Sequence, residues 1–215
     1  RLDLGRRMLL LDGTLKVVND ATGEVLTLTN VAEGIWSFTM PDFSVTVSAS
    51  FHRDPNLPDV WEGDIAAEFA EGEGTEDDPY LIHDGTELAY LAQLCNANAA
   101  LTQGKYYKLV NDIFLNEDVL TDEYTLNGKP RNAWTPIGKD DSHKFQGVFD
   151  GDNHYITGVY VPSGSYSGLF GYVDGAVIRN LSLLDTYVYG GNACGLVYNA
   201  ASTEEVLISR CYSEA

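Results

Sequence analysis

A chain of 215 residues is long enough to bury a real core, in one large domain or two smaller ones. Its 32 acidic against 13 basic side chains give a formal charge of −19, which argues against nucleic acid and anionic membrane as partners, because both are repelled before short-range contacts form. The 21 glycines and 13 tyrosines suit short strands joined by turns, so a mainly β protein is expected, and no apolar run approaches the ~20 residues of a membrane span.

The chain begins with Arg1, and the apolar patch Met8 to Leu11 is too short for a signal-peptide core, so the sequence is expected to be a piece of a longer protein. Asp12-Gly13, between two apolar runs, predicts a hairpin turn, and Thr22-Gly23-Glu24 predicts another. Trp36, Phe38 and Met40 alternate with Ser37 and Thr39 up to the break at Pro41-Asp42. The run Val45 to Phe51 alternates more cleanly, with Val45, Val47, Ala49 and Phe51 on one face expected to be buried. These two strands are expected to pair antiparallel. Residues 1–52 are therefore assigned to a small antiparallel β unit, sandwich-like, and residues 53–60, with Pro55 and Pro58, to a linker. The stretch from Gly34 through Phe-Thr-Met-Pro (38–41) to Phe51 resembles the closing hairpin of the small β modules strung along bacterial surface proteins, which implies a stalk or spacer.

From Trp61 to Glu87 the chain carries ten acidic residues. Thr86 to Leu101 places Leu88, Leu91, Ala92, Leu94 and Cys95 at helical spacing, predicting one amphipathic helix with Thr86 as N-cap and Gly104 closing the turn after it. Tyr106 to Leu115 predicts a strand and Asp118 to Asn132 a polar loop. From Trp134 onward, short strands alternate with glycine. Gly168-Leu169-Phe170 matches Gly195-Leu196-Val197, and Val177-Ile178 matches Leu207-Ile208, so like residues recur at a spacing of about 27 to 30 residues, within the range of stacked repeats. A repeat of this size carries too few apolar residues to form a core alone, so it points to a solenoid, with glycines at the corners and the helix covering the first repeat.

Trp61-Glu62-Gly63-Asp64, Gly72 to Ile82, Trp134-Thr135-Pro136-Ile137-Gly138, Phe145 to Gly151 and Gly168-Leu169-Phe170-Gly171 occur in an order that resembles bacterial proteins carrying the GLUG motif. Leu196-Val197-Tyr198 departs from that motif by lacking its second glycine. The resemblance covers residues 61–215 and implies a right-handed parallel β-helix on large secreted or surface proteins of gut bacteria, some of them IgA-cleaving metallopeptidases in which the repeats are accessory. No HExxH is present in this chain. The solenoid is expected to stop inside a repeat at Ala215, leaving Arg210 to Ser213 frayed or covered by another molecule.

Candidate chemistry is sparse. Asp150-Gly151-Asp152-Asn153 resembles the start of a calcium loop, and Glu76-Asp77-Asp78 crowds three carboxylates, so both are weak, adventitious calcium candidates beside the plainer readings of an Asp-Gly turn and a solvated acidic turn. His83, His143 and His154 have no ligand spacing, and no cofactor is expected. Asp150, Asp152, His154, Asp174, Arg179, Asp185 and Arg210 could share an exposed face, which keeps a polysaccharide lyase or glycoside hydrolase as an alternative. Tyr155, Tyr160, Tyr166, Tyr172, Tyr187, Tyr189 and Trp134 could form a platform on which sugar rings stack, with Trp134, Tyr155, Tyr160, Tyr187 and Tyr189 as the ligand-binding candidates. Cys95, Cys194 and Cys211 lack metal spacing, and a Cys194–Cys211 bridge would need adjacent repeats to bring the two together. The expectation is a non-catalytic, adhesin-like module, extracellular or on the cell surface, that binds glycans or surface proteins; a structural spacer within a larger peptidase is the other alternative.

Overall fold

A computed structural model of the chain describes residues 8–10, 13–32, 35–53, 59–121, 123–128, 131–162, 168–191, 193–200 and 204–213. They divide into two units, Arg1–Leu57 and Pro58–Ala215. Most of the proline-bearing linker, residues 54–58, lies outside the described residues.

The first unit contains β1 (Met8–Leu10), β2 (Lys16–Asn19), β3 (Thr29–Ala32), β4 (Ile35–Ser37), β5 (Val45–Ser48) and β6 (Phe51–Arg53). Its described pairings are all antiparallel: β1 with β6, β2 with β5 and β3 with β4. The strands flanking Asp12-Gly13 thus pair elsewhere rather than with each other as the expected hairpin; Asp12 lies outside the described residues, while Gly13 takes a positive φ of 74°. The expected pairing of residues 36–40 with 45–51 is not formed either. Asp20 explains the difference, since its carboxylate accepts from both the Ser44 and Thr46 hydroxyls and its N–H donates to the Ser44 carbonyl, tying β5 to the end of β2. Those two hydroxyl bonds hold the Asp20 carboxyl below its ordinary value. The strand expected over Val45–Phe51 breaks at Ala49-Ser50. Its apolar face is not buried as expected: Val47 is 53% exposed, although Val17, its partner across the pair on β2, is 1% exposed. The turn at Thr22-Gly23 does form, with Gly23 N–H donating to the Asn19 carbonyl and Val25 bridging back to Val18.

The second unit is built on parallel sheets. Its elements are β7 (Tyr80–Ile82), α1 (Gly85–Ala97), a 3-10 turn (Ala99–Leu101), β8 (Tyr106–Leu109), β9 (Ile113–Phe114), β10 (Val148–Asp150), β11 (Tyr155–Thr157), β12 (Tyr160–Val161), β13 (Phe170–Tyr172), β14 (Val177–Arg179), β15 (Ser182–Leu184), β16 (Tyr187–Val188), β17 (Val197–Asn199), β18 (Leu207–Ser209) and β19 (Tyr212–Ser213). One sheet runs β18-β14-β10-β8-β7 and a second β19-β15-β11-β9, with two-stranded sheets β12-β16 and β13-β17 beside them. The register carries the repeat read from sequence: Phe170 pairs with Val197, and Ile178 with Ile208. The chain is thus mainly β.

The registers stack like residues. Tyr107, Phe149 and Ile178 follow one another across three strands and are at most 1% exposed, and Ile113, Ile156 and Leu183 do the same in the next sheet. Each strand gives one such side chain inward, too little for a core alone but a continuous apolar column when stacked. Exposure rises in the last described strands, where Ile208 is 42% and Leu207 50% exposed. At the other end, Leu88, Leu91 and Cys95 of α1 share one buried cluster with Ile82 and Tyr107.

The helix starts one turn signal earlier than its pattern suggests. Its N-cap is Asp84, not Thr86: the Asp84 carboxylate accepts from the N–H groups of Thr86 and Glu87 at 2.9 and 3.1 Å. It also stops at Ala97, because Asn98 is extended and caps the separate 3-10 turn through its own side chain. Buried Glu87 accepts from the N–H groups of Ala70 and His83, pinning the acidic stretch to the helix. The strand expected over Tyr106–Leu115 is broken at 110–112, where the Asp112 carboxylate accepts from Tyr155 N–H. Glycine does sit where repeats touch: a Cβ on Gly151 would lie 2.4 Å from the Asn180 carbonyl oxygen. Other corners use Asp152, Asn153, Asn180, Asp185 and Arg210, all with positive φ. All three cysteines are free: Cys95 is buried, Cys211 half-buried and Cys194 exposed, so the Cys194–Cys211 bridge is not formed.

Candidate functional site

Two of the five ligand-binding candidates are brought together by strand register, and a third falls beside them. β12 and β16 set Tyr160 against Tyr187 and Val161 against Val188. Because side chains alternate along a strand and Val161 is 3% exposed, the tyrosines project outward. Their ring centroids are 6.0 Å apart at 30°. Tyr189, two positions past Tyr187 and on the same face, is 64% exposed, and its N–H is held by the Val161 carbonyl at 2.8 Å. The Arg131 guanidinium closes the row, 5.1 Å from the Tyr160 ring centroid. Its Nη2 donates to the Asn127 carbonyl at 2.6 Å, while its Nε is buried and has no hydrogen-bond partner among the described residues. The result is a row of outward tyrosine side chains with a cation over its first ring, which presents apolar ring surface and phenol hydroxyls together. Tyr155 lies apart on β11, edge-on to Phe114 at 5.7 Å, and Tyr172 pairs with Tyr198. Tyr166 lies outside the described residues.

Trp134 belongs to a different place. It is 4% exposed, and its ring meets Trp61 edge to face at 5.9 Å and 71°. Both indole N–H groups are used internally, Trp61 donating to the Asp64 carbonyl at 2.6 Å and Trp134 to the Leu169 carbonyl at 3.1 Å. The pair lines a groove of about 510 Å³ between α1 and the stretches 61–65 and 133–139. Ile65, Ala89, Ala92 and Ala133 supply more of its walls, and Gln93 and Lys139 are exposed, polar lining residues. Sequence reading named Trp134 but missed Trp61, Gln93 and Lys139. The signal was available only in part: Ala89, Ala92, Gln93 and Ala97 line one stripe of the predicted helix by spacing, but nothing in the sequence brings residues 133–139 against it.

The charged candidates are engaged with one another. Asp150 accepts from Arg179 Nε at 2.7 Å, from Asn180 Nδ2 at 2.9 Å and from the Asp152 N–H at 2.9 Å. Burial works to raise its pKa, but these hydrogen bonds and the Arg179 charge outweigh it and hold the carboxyl below its ordinary range. Asp152 pairs with Lys108 at 2.9 Å. His154, His83 and His143 each face a carboxylate, Asp112, Glu87 and Asp140 respectively. Asp185 accepts from the N–H groups of Val119 and Leu120, and Asp174 from that of Glu204. Arg210 sits at a corner with φ 54°. Asp78 closes a turn with Thr75, while Glu76 and Asp77 point to solvent. Among the described residues no three His, Cys, Asp or Glu side chains gather to hold a metal ion.

No family model matches the chain, and no solved structure matches it. Two curated proteins are similar. A protein of Evansella cellulosilytica named "Putative Gly-rich membrane protein" is 37% identical over 132 residues, which is 60% of this chain and 14% of that protein. Halomucin of Haloquadratum walsbyi is 35% identical over 129 residues, 59% of this chain and 1% of that protein. The chain thus spans only a small part of each relative's length. Among the described residues no helix is long and apolar enough to cross a membrane.

Proposed function

We propose that this chain is a non-catalytic module of an extracellular or cell-surface protein, whose second unit is a capped right-handed parallel β-helix of GLUG type presenting the Tyr160–Tyr187–Tyr189 face to glycans. The β-helix reading draws on parallel pairing, repeat upon repeat, in four adjoining sheets, and the right hand on the near-universal handedness of parallel crossovers. The surface location draws on the two relatives, one named as a membrane protein and the other halomucin. The non-catalytic reading draws on the outward charges of β10, β14 and their corners, which are held in ion pairs rather than left convergent on an open cleft.

The observation that carries ligand binding is the outward row of tyrosines set by the β12–β16 register. Its test is a glycan array followed by titration calorimetry on the best binder, with Tyr187→Ala and Tyr189→Ala beside the parent chain. Each lost ring is expected to weaken binding about five- to ten-fold. An array with no binder, or a binder indifferent to both substitutions, would leave the module a spacer.

A further inference from the structure

We propose that the groove beside α1 is a second, separate binding site, which takes a small ligand with an apolar body and one carboxylate: the body rests on the Trp61–Trp134 pair and the carboxylate faces Lys139. The site is independent of the tyrosine face. Its floor fixes the body of the ligand. With both indole N–H groups donated to the backbone carbonyls of Asp64 and Leu169, whatever part of the two largely buried rings faces the groove is apolar and offers no free hydrogen-bond donor. The helix side adds the methyl groups of Ala89, Ala92 and Ala97 together with the polar side chains of Gln93 and Asn96, none of them charged. A concave, open and largely apolar groove with few polar groups is the ordinary form of a small-ligand site.

The charge at the mouth fixes the other end of the ligand. Asn96 is tied to the stretch opposite, its Nδ2 donating to the Pro136 carbonyl and its Oδ1 accepting from the N–H groups of Gly138 and Lys139. Its carbonyl accepts from Lys139 Nζ at 2.8 Å, which holds that ammonium at the edge of the groove. Lys108 and Lys144 each have an ion-paired carboxylate, whereas among the described residues Lys139 donates to this carbonyl and is in no ion pair, although its charge acts on the Asp140 carboxylate. Its neighbour Asp140 is taken up by His143 at 2.6 Å. On the opposite lip, Trp61, Gly63 and Ile65 line the groove while Glu62 and Asp64, which alternate with them, do not. In a chain of charge −19, a groove lined by a lysine and, among the described residues, no carboxylate side chain selects an anionic group. At ~150 mM salt charges more than about 8 Å away are largely screened, so the local field is set by the groups at the rim, of which Lys139 is the one that lines the groove.

The probe is 3-phenylpropionate, compared with the neutral 3-phenylpropionamide. Two of the chain's three tryptophans line the groove, so the indole N–H signals of Trp61 and Trp134 in a nitrogen-15 correlation spectrum read binding directly, with Trp36 as the internal control. The acid should bind with a Kd of about 1 mM, ordinary for so small a ligand, and the amide about five-fold more weakly. Lys139→Gln should make the two ligands equal, Lys139→Arg should restore the preference, and Ala97→Leu, which fills the groove from the exposed end of α1, should weaken both more than ten-fold. Unmoved Trp61 and Trp134 signals at about 10 mM, ten times the expected Kd, would overturn the site. Equal binding of acid and amide to the parent chain would overturn the assignment of an anionic ligand.

Discussion

Ile178 and Ile208 occupy the same position of adjoining strands, paired directly across β14 and β18, yet the first is 0% exposed and the second 42%. Truncating each to alanine therefore measures the same chemistry in two environments. At Ile178 the loss is about three buried methylene equivalents, or about 2.4 kcal/mol of transfer free energy, and the cavity left between Phe149 below and Ile208 above raises this to about 3–4 kcal/mol. At Ile208 only some three-fifths of that surface is removed from water, and solvent fills the gap, so the expected cost is about 1.4 kcal/mol. Urea unfolding followed by circular dichroism supplies the difference through the midpoint, provided the slope is unchanged. Amide exchange at the β14 and β18 N–H groups separates fraying of the last strand from unfolding of the whole. If Ile208→Ala costs as much as Ile178→Ala, the last repeat is covered in solution and the column does not end there. If Ile178→Ala costs less than about 1 kcal/mol, the stacked column is not the core.

Asp84→Ala should cost about 1–2 kcal/mol in the same assay, since it leaves the Thr86 and Glu87 N–H groups uncapped, while Asp84→Asn should recover most of the loss. The Asp150 carboxyl titrates below its ordinary value in the folded chain, so it binds its proton more readily once unfolded. Its contribution is present above the unfolded value near 3.8 and is lost as pH falls through the lower folded value; the stability of Asp150→Asn should therefore lie below that of the parent at about pH 5 and approach it as the pH is taken progressively below 3.8. A thiol reagent at neutral pH should label Cys194 at once and Cys211 slowly, but Cys95 only after denaturant, because burial pushes the Cys95 thiol up to about 12; mass spectrometry of timed digests would refute this by finding Cys95 labelled early.

The repeat was legible because its offset depends only on where like residues recur, and the pairs Phe170–Val197 and Ile178–Ile208 fall in register as the sequence spacing implies. The helix was legible from Leu88, Leu91 and Cys95, but its cap was not, because Thr86 and Asp84 are both good cap residues and only the backbone decides which carboxylate or hydroxyl meets a free N–H. In the first unit alternation identified strands but not partners. Whether β5 pairs with β2 or β4 depends on Asp20 reaching Ser44 and Thr46, a contact between distant stretches of chain that local pattern does not encode. The candidate site divided in the same way. Tyr160 and Tyr187 meet because both stand at one position of the repeat, whereas Trp61 and Trp134 are far apart in the chain and correspond to no shared repeat position.

The spacing between paired strands is not constant. The step from Ile113 to its partner Ile156 is longer by more than half than the step from Tyr160 to Tyr187, yet the Trp134 N–H still donates to the Tyr160 carbonyl across a step of the shorter kind. The surplus is therefore contained between Phe114 and Trp134, in a stretch anchored by the Asp185 carboxylate on Val119 and Leu120 and by Asn116 on Asn132. Length is free there in a way that register is not. A peptide tag or a foreign epitope placed near Glu123, at the tip of the turn that pairs Leu120 with Leu126, should lengthen that stretch without changing the register of the paired parallel strands, which makes this the natural insertion port of the chain. A one-residue deletion within β14 would instead turn Ile178 outward.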